Sequence, residues 1–282
     1  MDGNPKDSIT VNNHSISYFQ KGQGEPIVLV HGALADARMW QEHCKILSNE
    51  FRAISFTQRH FGNPGNPSEG PFGIDTHAAD LVGLVEALDI GPAHLVGWSY
   101  GADVSLNAAI KAPKLIKSLY LYEPGYPGYI ESNNMEEYRQ DAESMFAEIF
   151  KTTAEGELDT AVKLLIDGSG NQAGYFSQQP LKYRVQQLDN AYTLPLQLNQ
   201  TEQSALNPSS LSGISIPVSV AYGSNTRQLF KTVSLVAGTL IPDTHPQEVS
   251  SANHMLPLED PARFCQLVRD RITNCCDQQP VT

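Results

Sequence analysis

Short, continuous apolar runs separated by helix-like stretches constrain this chain most. Ile27-Val28-Leu29-Val30, Ala53-Ile54-Ser55-Phe56 and Leu95-Val96 do not alternate apolar with polar residues. Each therefore reads as a strand buried on both faces, which calls for a mostly parallel sheet covered by helices on either side. The intervening segments supply those helices. Asp36 can cap one on which Met39, Trp40, Cys44 and Leu47 share a face, and Thr76 can start another carrying Leu81, Leu84, Val85 and Leu88. A third runs from beyond Ser99 to Ala112, where Pro113 stops it, and Leu119-Tyr120-Leu121-Tyr122 continues the strand series.

From Gly125 to Ser209 the pattern changes. This stretch is polar, helix-prone over Met135–Phe150 and Leu158–Ile166, and lacks strand signals. Strand character returns at Pro217-Val218-Ser219-Val220-Ala221-Tyr222, and Asp260-Pro261 opens a closing helix with Phe264, Leu267, Val268 and Ile272 on one side. The reading is one α/β core, residues 1–124 and 210–282, interrupted by a helical insertion over 125–209. A chain of 282 residues is within the range of a single fold of this kind.

Acidic residues outnumber basic ones by 31 to 19, for a formal charge of −12. That charge repels phosphate backbones and anionic lipid, so neither nucleic acid nor a membrane surface is an expected partner. No stretch approaches 18 uninterrupted apolar residues, and Met1 to Ser8 lacks a basic and apolar leader. The expectation is a cytoplasmic protein acting on a small molecule, with a homodimer left open. Cys44 and Cys265 lie in apolar helical patterns and are expected to be packed thiols, while Cys275 and Cys276 fall in a polar tail expected to fray. None of the four has metal-ligand spacing, and no metal or organic cofactor is expected.

The chemistry concentrates at Gly97-Trp98-Ser99-Tyr100-Gly101. Gly-x-Ser-x-Gly arises by chance in about one chain of this length in ten, so its context decides. Here a strand, Ala93 to Val96, enters it and a helix, Asp103 to Ala112, leaves it, which is the strand-turn-helix setting in which such a serine is a nucleophile. His31-Gly32-Ala33-Leu34 follows directly on the strand Ile27–Val30, where one donor to a developing oxyanion belongs. The backbone N–H groups of Ala33 and Tyr100 are the expected pair. Gly32, Leu34 and Trp98 are expected to touch substrate, whereas His31, set before the glycine, suits bracing of the loop.

A serine needs a base of imidazole-like pKa within hydrogen-bond reach. His254 follows a strand-like Ser251-Ala252-Asn253 and precedes the closing helix, which sets it at the carboxyl edge of the sheet where sites form. His14, His43, His60, His77, His94 and His245 lack that placement and read as surface or packing residues. Arg59-His60-Phe61-Gly62 passes near the expected pocket mouth and reads mainly as a structural segment.

His31-Gly32, the Gly97–Gly101 elbow, and His254 in Asn253-His254-x-x-x-x-Glu259-x-Pro261 occur in the order of the α/β-hydrolase family, which the chain resembles over nearly its whole length. The resemblance implies an eight-stranded sheet with a helical cap after the sixth strand, at Gly125 to Ser209. It also exposes a departure. The family usually carries its triad acid after the seventh strand, about three residues past a glycine, and here Gly223-Ser224-Asn225-Thr226 places threonine there. Tyr122-Glu123-Pro124 offers a carboxylate after the sixth strand instead, which resembles the subgroup that includes fungal zearalenone lactonases. Glu123 is accordingly the expected acid, with Asn225 or no acid as the other reading.

These residues together point to acyl transfer to water by a carboxylesterase or lactonase. A C–C bond hydrolase, a perhydrolase or oxygenase using the same residues, and a non-catalytic ligand receptor are the other readings. Met145, Phe146, Phe150, Tyr175 and Phe176 of the insertion are candidates for an apolar pocket wall or for packing.

Overall fold

The computed structural model describes residues 7–62 and 69–276. Met1 to Lys6 lie outside the described residues. Eight strands form one sheet in the order β1-β2-β4-β3-β5-β6-β7-β8. They are β1 (Asp7–Val11), β2 (His14–Lys21), β3 (Glu25–Val30), β4 (Phe51–Phe56), β5 (Ala93–Trp98), β6 (Ile116–Tyr122), β7 (Val218–Gly223) and β8 (Gln247–Val249). Strand β2 pairs antiparallel with both its neighbours, β1 and β4, and the other pairs are parallel. The expected mostly parallel eight-stranded α/β sheet is present, and Ile27 to Val30 are fully buried, as continuous apolar strands require.

The core helices are α1 (Gln41–Leu47), α2 (Ile74–Ala87) and α3 (Tyr100–Lys111). Six more, α4 (Ser132–Ala154), α5 (Leu158–Ser169), α6 (Tyr175–Gln178), α7 (Leu181–Asp189), α8 (Leu194–Leu198) and α9 (Pro208–Ser212), lie between β6 and β7. After β7 come α10 (Gln228–Leu240), α11 (Leu256–Glu259) and α12 (Pro261–Cys276). Apolar residues pack against both faces of the sheet, and one of these two clusters reaches into α4 and α5 through Met145, Ile149, Val162 and Leu165.

Four local expectations change. Asp36 caps as expected, but what it caps is a 3₁₀ turn, Ala37–Trp40, which leads into α1. Helix α2 begins at Ile74 rather than Thr76, whose backbone N–H donates to Glu202 of the insertion at 2.9 Å. The last strand is Gln247–Val249, and Ser251 to His254 is an irregular loop. Helix α12 runs through Cys275 and Cys276, so the chain there is helical. Cys44 and Cys265 are buried free thiols whose pKa burial pushes up to about 12, consistent with packing.

The insertion is tied to the core by a buried polar cluster. Asp36 accepts from Arg38 Nη2 at 2.8 Å, from Asn190 Nδ2 at 2.8 Å and from Gln186 Nε2 at 2.7 Å. Asn190 Oδ1 in turn accepts from the Gly62 N–H at 2.7 Å. A charge at 2% exposure survives because Arg38, Asn190 and Gln186 all donate to it. Among the described residues, no helix is long and apolar enough to cross a membrane.

Arg59 shows why its segment is structural. Its guanidinium forks onto Asp80 of α2 at 2.7 and 2.5 Å, and Asp80 also accepts from Asn12 at the β1–β2 turn. With Arg59 and Asp80 at 9% and 1% exposure, removing one partner strands a buried charge. Arg59→Met is expected to cost about 3–5 kcal/mol of stability, read as a lower denaturant midpoint with an unchanged slope.

Candidate active site

Ser99 sits between β5 and α3 with φ 55° and ψ −128°, a conformation that an L-residue holds only when its surroundings enforce it. The enforcement is visible. A Cβ on Gly97 would meet Ala102 Cα at 2.5 Å, and one on Gly101 would meet the Val30 carbonyl oxygen at 2.3 Å. Both glycines are therefore required by close backbone approach. The Ser99 N–H donates to the Tyr122 carbonyl at 3.0 Å, which fastens the turn to the end of β6.

Glu123 follows directly, in the left-handed region at φ 48°, and is completely buried. Its Oε2 accepts from His254 Nδ1 and from the Thr226 hydroxyl, each at 2.7 Å, and its Oε1 accepts from the Gly223 N–H, also at 2.7 Å. Thr226, at the position where the family usually has its acid, thus serves as a donor to the Glu123 carboxylate after β6. Asn225 bonds elsewhere: its carbonyl accepts from Asn171 and its side-chain oxygen from the Ser224 hydroxyl.

His254 is held from other sides as well. Its ring stacks on Phe230 at 3.7 Å between centroids and 11° between planes, and its carbonyl accepts from Trp98 Nε1 at 2.8 Å. With Glu123 on Nδ1, the tautomer that donates there leaves Nε2 as the free acceptor. Ser99 and His254 line the same cavity, of about 170 Å³, together with Ala33, Trp98, Tyr100 and Met255. The two expected oxyanion donors are thus grouped with the serine and the histidine.

Gly32 and Leu34 are placed differently. A Cβ on Gly32 would meet Ser99 Cβ at 3.1 Å, so this position serves close packing against the elbow. Leu34 is fully buried in the apolar core, at φ 54°, and does not line the cavity. His31 braces its loop: Nε2 accepts from the Gln58 N–H at 3.1 Å, and the His31 carbonyl accepts from the Gln58 side chain at 2.7 Å. Burial lowers its pKa to about 4, which keeps it neutral. His43, His60, His77 and His94 are likewise buried.

Of the insertion's candidates, Phe146 lines the cavity and Met145 is packed in the core. Phe150 is on the outer face at 48% exposure, and Tyr175 and Phe176 are buried elsewhere, with the Tyr175 hydroxyl on Glu259. Tyr126, Tyr138, Leu165, Leu194, Leu229 and Phe230 complete most of the apolar wall. Sequence reasoning missed these because they come from five separate segments. It also missed Asp103, one turn beyond Ser99 on α3 and lining the same cavity, although the four-residue spacing was a readable signal.

A model of the alpha/beta hydrolase fold matches residues 25–261. The chain belongs to this hydrolase family. It is similar to the putative non-heme bromoperoxidase BpoC of Mycobacterium tuberculosis, with 36% identity over 38% of this chain and 41% of that protein. It is also similar to the (E)-2-((N-methylformamido)methylene)succinate hydrolase of Acinetobacter baylyi, with 29% identity over 38% and 41% of the two chains. The chain thus spans about two fifths of the length of these curated relatives. The enol-lactonase of Burkholderia xenovorans LB400 has the same fold, with a TM-score of 0.75 at 20% identity over 95% of this chain and 100% of that one.

The Thr226 hydroxyl donates to a fully buried carboxylate, so its loss leaves an acceptor undersatisfied. Thr226→Val is expected to lower stability by about 2 kcal/mol, measured by chemical denaturation, because it removes this bond while preserving shape.

Proposed function

We propose that this hydrolase cleaves an ester or lactone of a small, largely apolar molecule through an acyl-enzyme on Ser99. The observation that carries the reading is the buried 2.7 Å bond from His254 Nδ1 to Glu123 Oε2, in a cavity that His254 shares with the strained Ser99. Glu123 fixes the imidazole tautomer and stabilises the imidazolium that forms. His254 takes the Ser99 proton as Oγ attacks the carbonyl carbon, and the backbone N–H groups of Ala33 and Tyr100 receive the oxyanion. The C–O bond then breaks, His254 returns its proton to the leaving oxygen, and water repeats the sequence to release the acid. Ser99 forms an acyl ester here, unlike the alkyl ester an aspartate nucleophile would form. The helical segment over 125–209 acts as the cap that shapes the pocket, and free Cys44 and Cys265 suit a reducing, cytoplasmic setting.

Apolar side chains dominate the cavity wall, and among the described residues neither lysine nor arginine lines it. This favours a neutral substrate over the dicarboxylate named for the Acinetobacter relative. A small molecule is the partner this cavity suits.

Fluorophosphonate labelling read by intact mass tests the nucleophile without a guess at substrate. The expected result is one adduct on the wild type, none on Ser99→Ala, and labelling of His254→Ala slowed by about 100-fold or more. A folded wild type that stays unlabelled would overturn the acyl-enzyme reading in favour of a ligand receptor.

The unusual acid has a separate test. Glu123→Ala should slow labelling by about 100-fold or more, and adding Thr226→Asp to that variant should restore about tenfold, since position 226 already lies beside the carboxylate that His254 uses. Wild-type labelling rates in Glu123→Ala would remove Glu123 from the machinery.

A further inference from the structure

Among the described residues that line the cavity, Asp103 is the one carboxylate, and no lysine or arginine accompanies it. Its side chain is 2% exposed. Oδ2 accepts from the Gly125 N–H at 3.1 Å and Oδ1 from the Tyr126 N–H at 3.2 Å, both in the segment that leaves β6 after Glu123. An ionised carboxylate offers about four acceptor positions, so two backbone donors leave it capacity toward the cavity. Its position one turn from Ser99, about 5–6 Å along the helix axis, puts that capacity beside the substrate.

We propose that Asp103 is a specificity-determining residue that turns away substrates bearing a carboxylate and accepts a hydrogen bond from a hydroxyl or amine of a neutral or cationic substrate. The inference rests on the acyl-transfer reading for its kinetic test but not for its binding test. A second negative charge within a few ångströms of Asp103 in a largely apolar pocket is disfavoured by about 100-fold. A hydroxyl or ammonium donor instead completes the acceptor's hydrogen bonding.

Burial raises the Asp103 pKa to about 7, against the lowering effect of the two backbone donors. Discrimination against anions should therefore grow as pH rises through neutrality, because the carboxyl gains its charge there. The groups that face it are Tyr100 on α3, Tyr126 and Tyr129 after β6, Tyr138 on α4 and His254 after β8. Burial holds the four phenols above their ordinary value, so they stay neutral over pH 6 to 8.5. His254, with Glu123 behind it, acts on the carbonyl of either substrate, so its ionisation cancels in a ratio of the two.

The measurement is kcat/KM for 4-nitrophenyl hexanoate over that for mono-4-nitrophenyl adipate, across pH 6 to 8.5, after subtraction of spontaneous hydrolysis. In the wild type the ratio should rise about tenfold or more over this range. In Asp103→Asn it should be lower and flat with pH. A wild-type ratio independent of pH would overturn the proposal, as would the same rising ratio in Asp103→Asn. An apolar pocket alone disfavours anions, so only the pH dependence and its loss in the variant speak for Asp103.

Binding to Ser99→Ala supplies the arm that needs no turnover. By NMR titration, 4-phenylbutan-1-ol should bind more tightly than 4-phenylbutyrate, and the difference should widen with pH by the same tenfold. Should neither ester turn over while this difference appears in Ser99→Ala and flattens with pH in Ser99→Ala/Asp103→Asn, the acyl-transfer reading fails and the Asp103 assignment stands; a difference that widens equally in the double variant overturns the assignment. Equal affinities at all pH values sink the assignment alone.

Discussion

The 2.7 Å bond between His254 Nδ1 and Glu123 Oε2 joins two points 131 residues apart, and much of the site is arranged around keeping both ends buried. A carboxylate with no solvent exposure must find donors within the protein. It finds them in His254, the Thr226 hydroxyl and the Gly223 N–H, which come from the loop after β8 and from the end of β7 and the turn beyond it. The parallel register of β6 with β7 and of β7 with β8 is what brings those ends level. The sheet is thus the ruler, and the carboxylate is what the three strand ends converge on.

The elbow obeys the same geometry. Ser99 occupies a strained conformation that its neighbours impose, since Gly101 packs on the Val30 and His31 carbonyls and the Ser99 N–H is fixed to Tyr122. Strain of this kind persists only where the surroundings over-determine it. Two adjacent residue pairs, Trp98-Ser99 on β5 and Tyr122-Glu123 on β6, therefore deliver serine and carboxylate to one edge. The histidine arrives on a longer loop, and Phe230 and Trp98 hold it where the backbone alone does not.

The helical insertion is attached by polar rather than apolar specificity. Asp36, Arg38, Asn190 and Gln186 form a network in which a change in either partner segment would leave a buried group unmatched. That fixes the seating of α7 and so the position of the wall contributed by Leu194, Gln197 and Leu198. Asp103 stands out against this pattern because a buried carboxylate that lines the cavity has only two backbone donors. A group unmatched in this way is set to be matched by a bound molecule.

The sequence by itself determined the sheet, because runs such as Ile27 to Val30 have no stable place except between two helical layers. It determined the elbow, because Gly-x-Ser-x-Gly between a strand and a helix permits few backbones. It also showed the missing aspartate at Thr226 and the nearby alternative at Glu123, both being local to strand ends. Only the tertiary structure decided that Thr226 donates to that carboxylate, that Leu34 is buried in the core rather than in the cavity, and that Asp103 joins the wall. Those outcomes depend on which side chains meet across gaps of tens of residues, and the periodicities of strands and helices carry no information about such meetings.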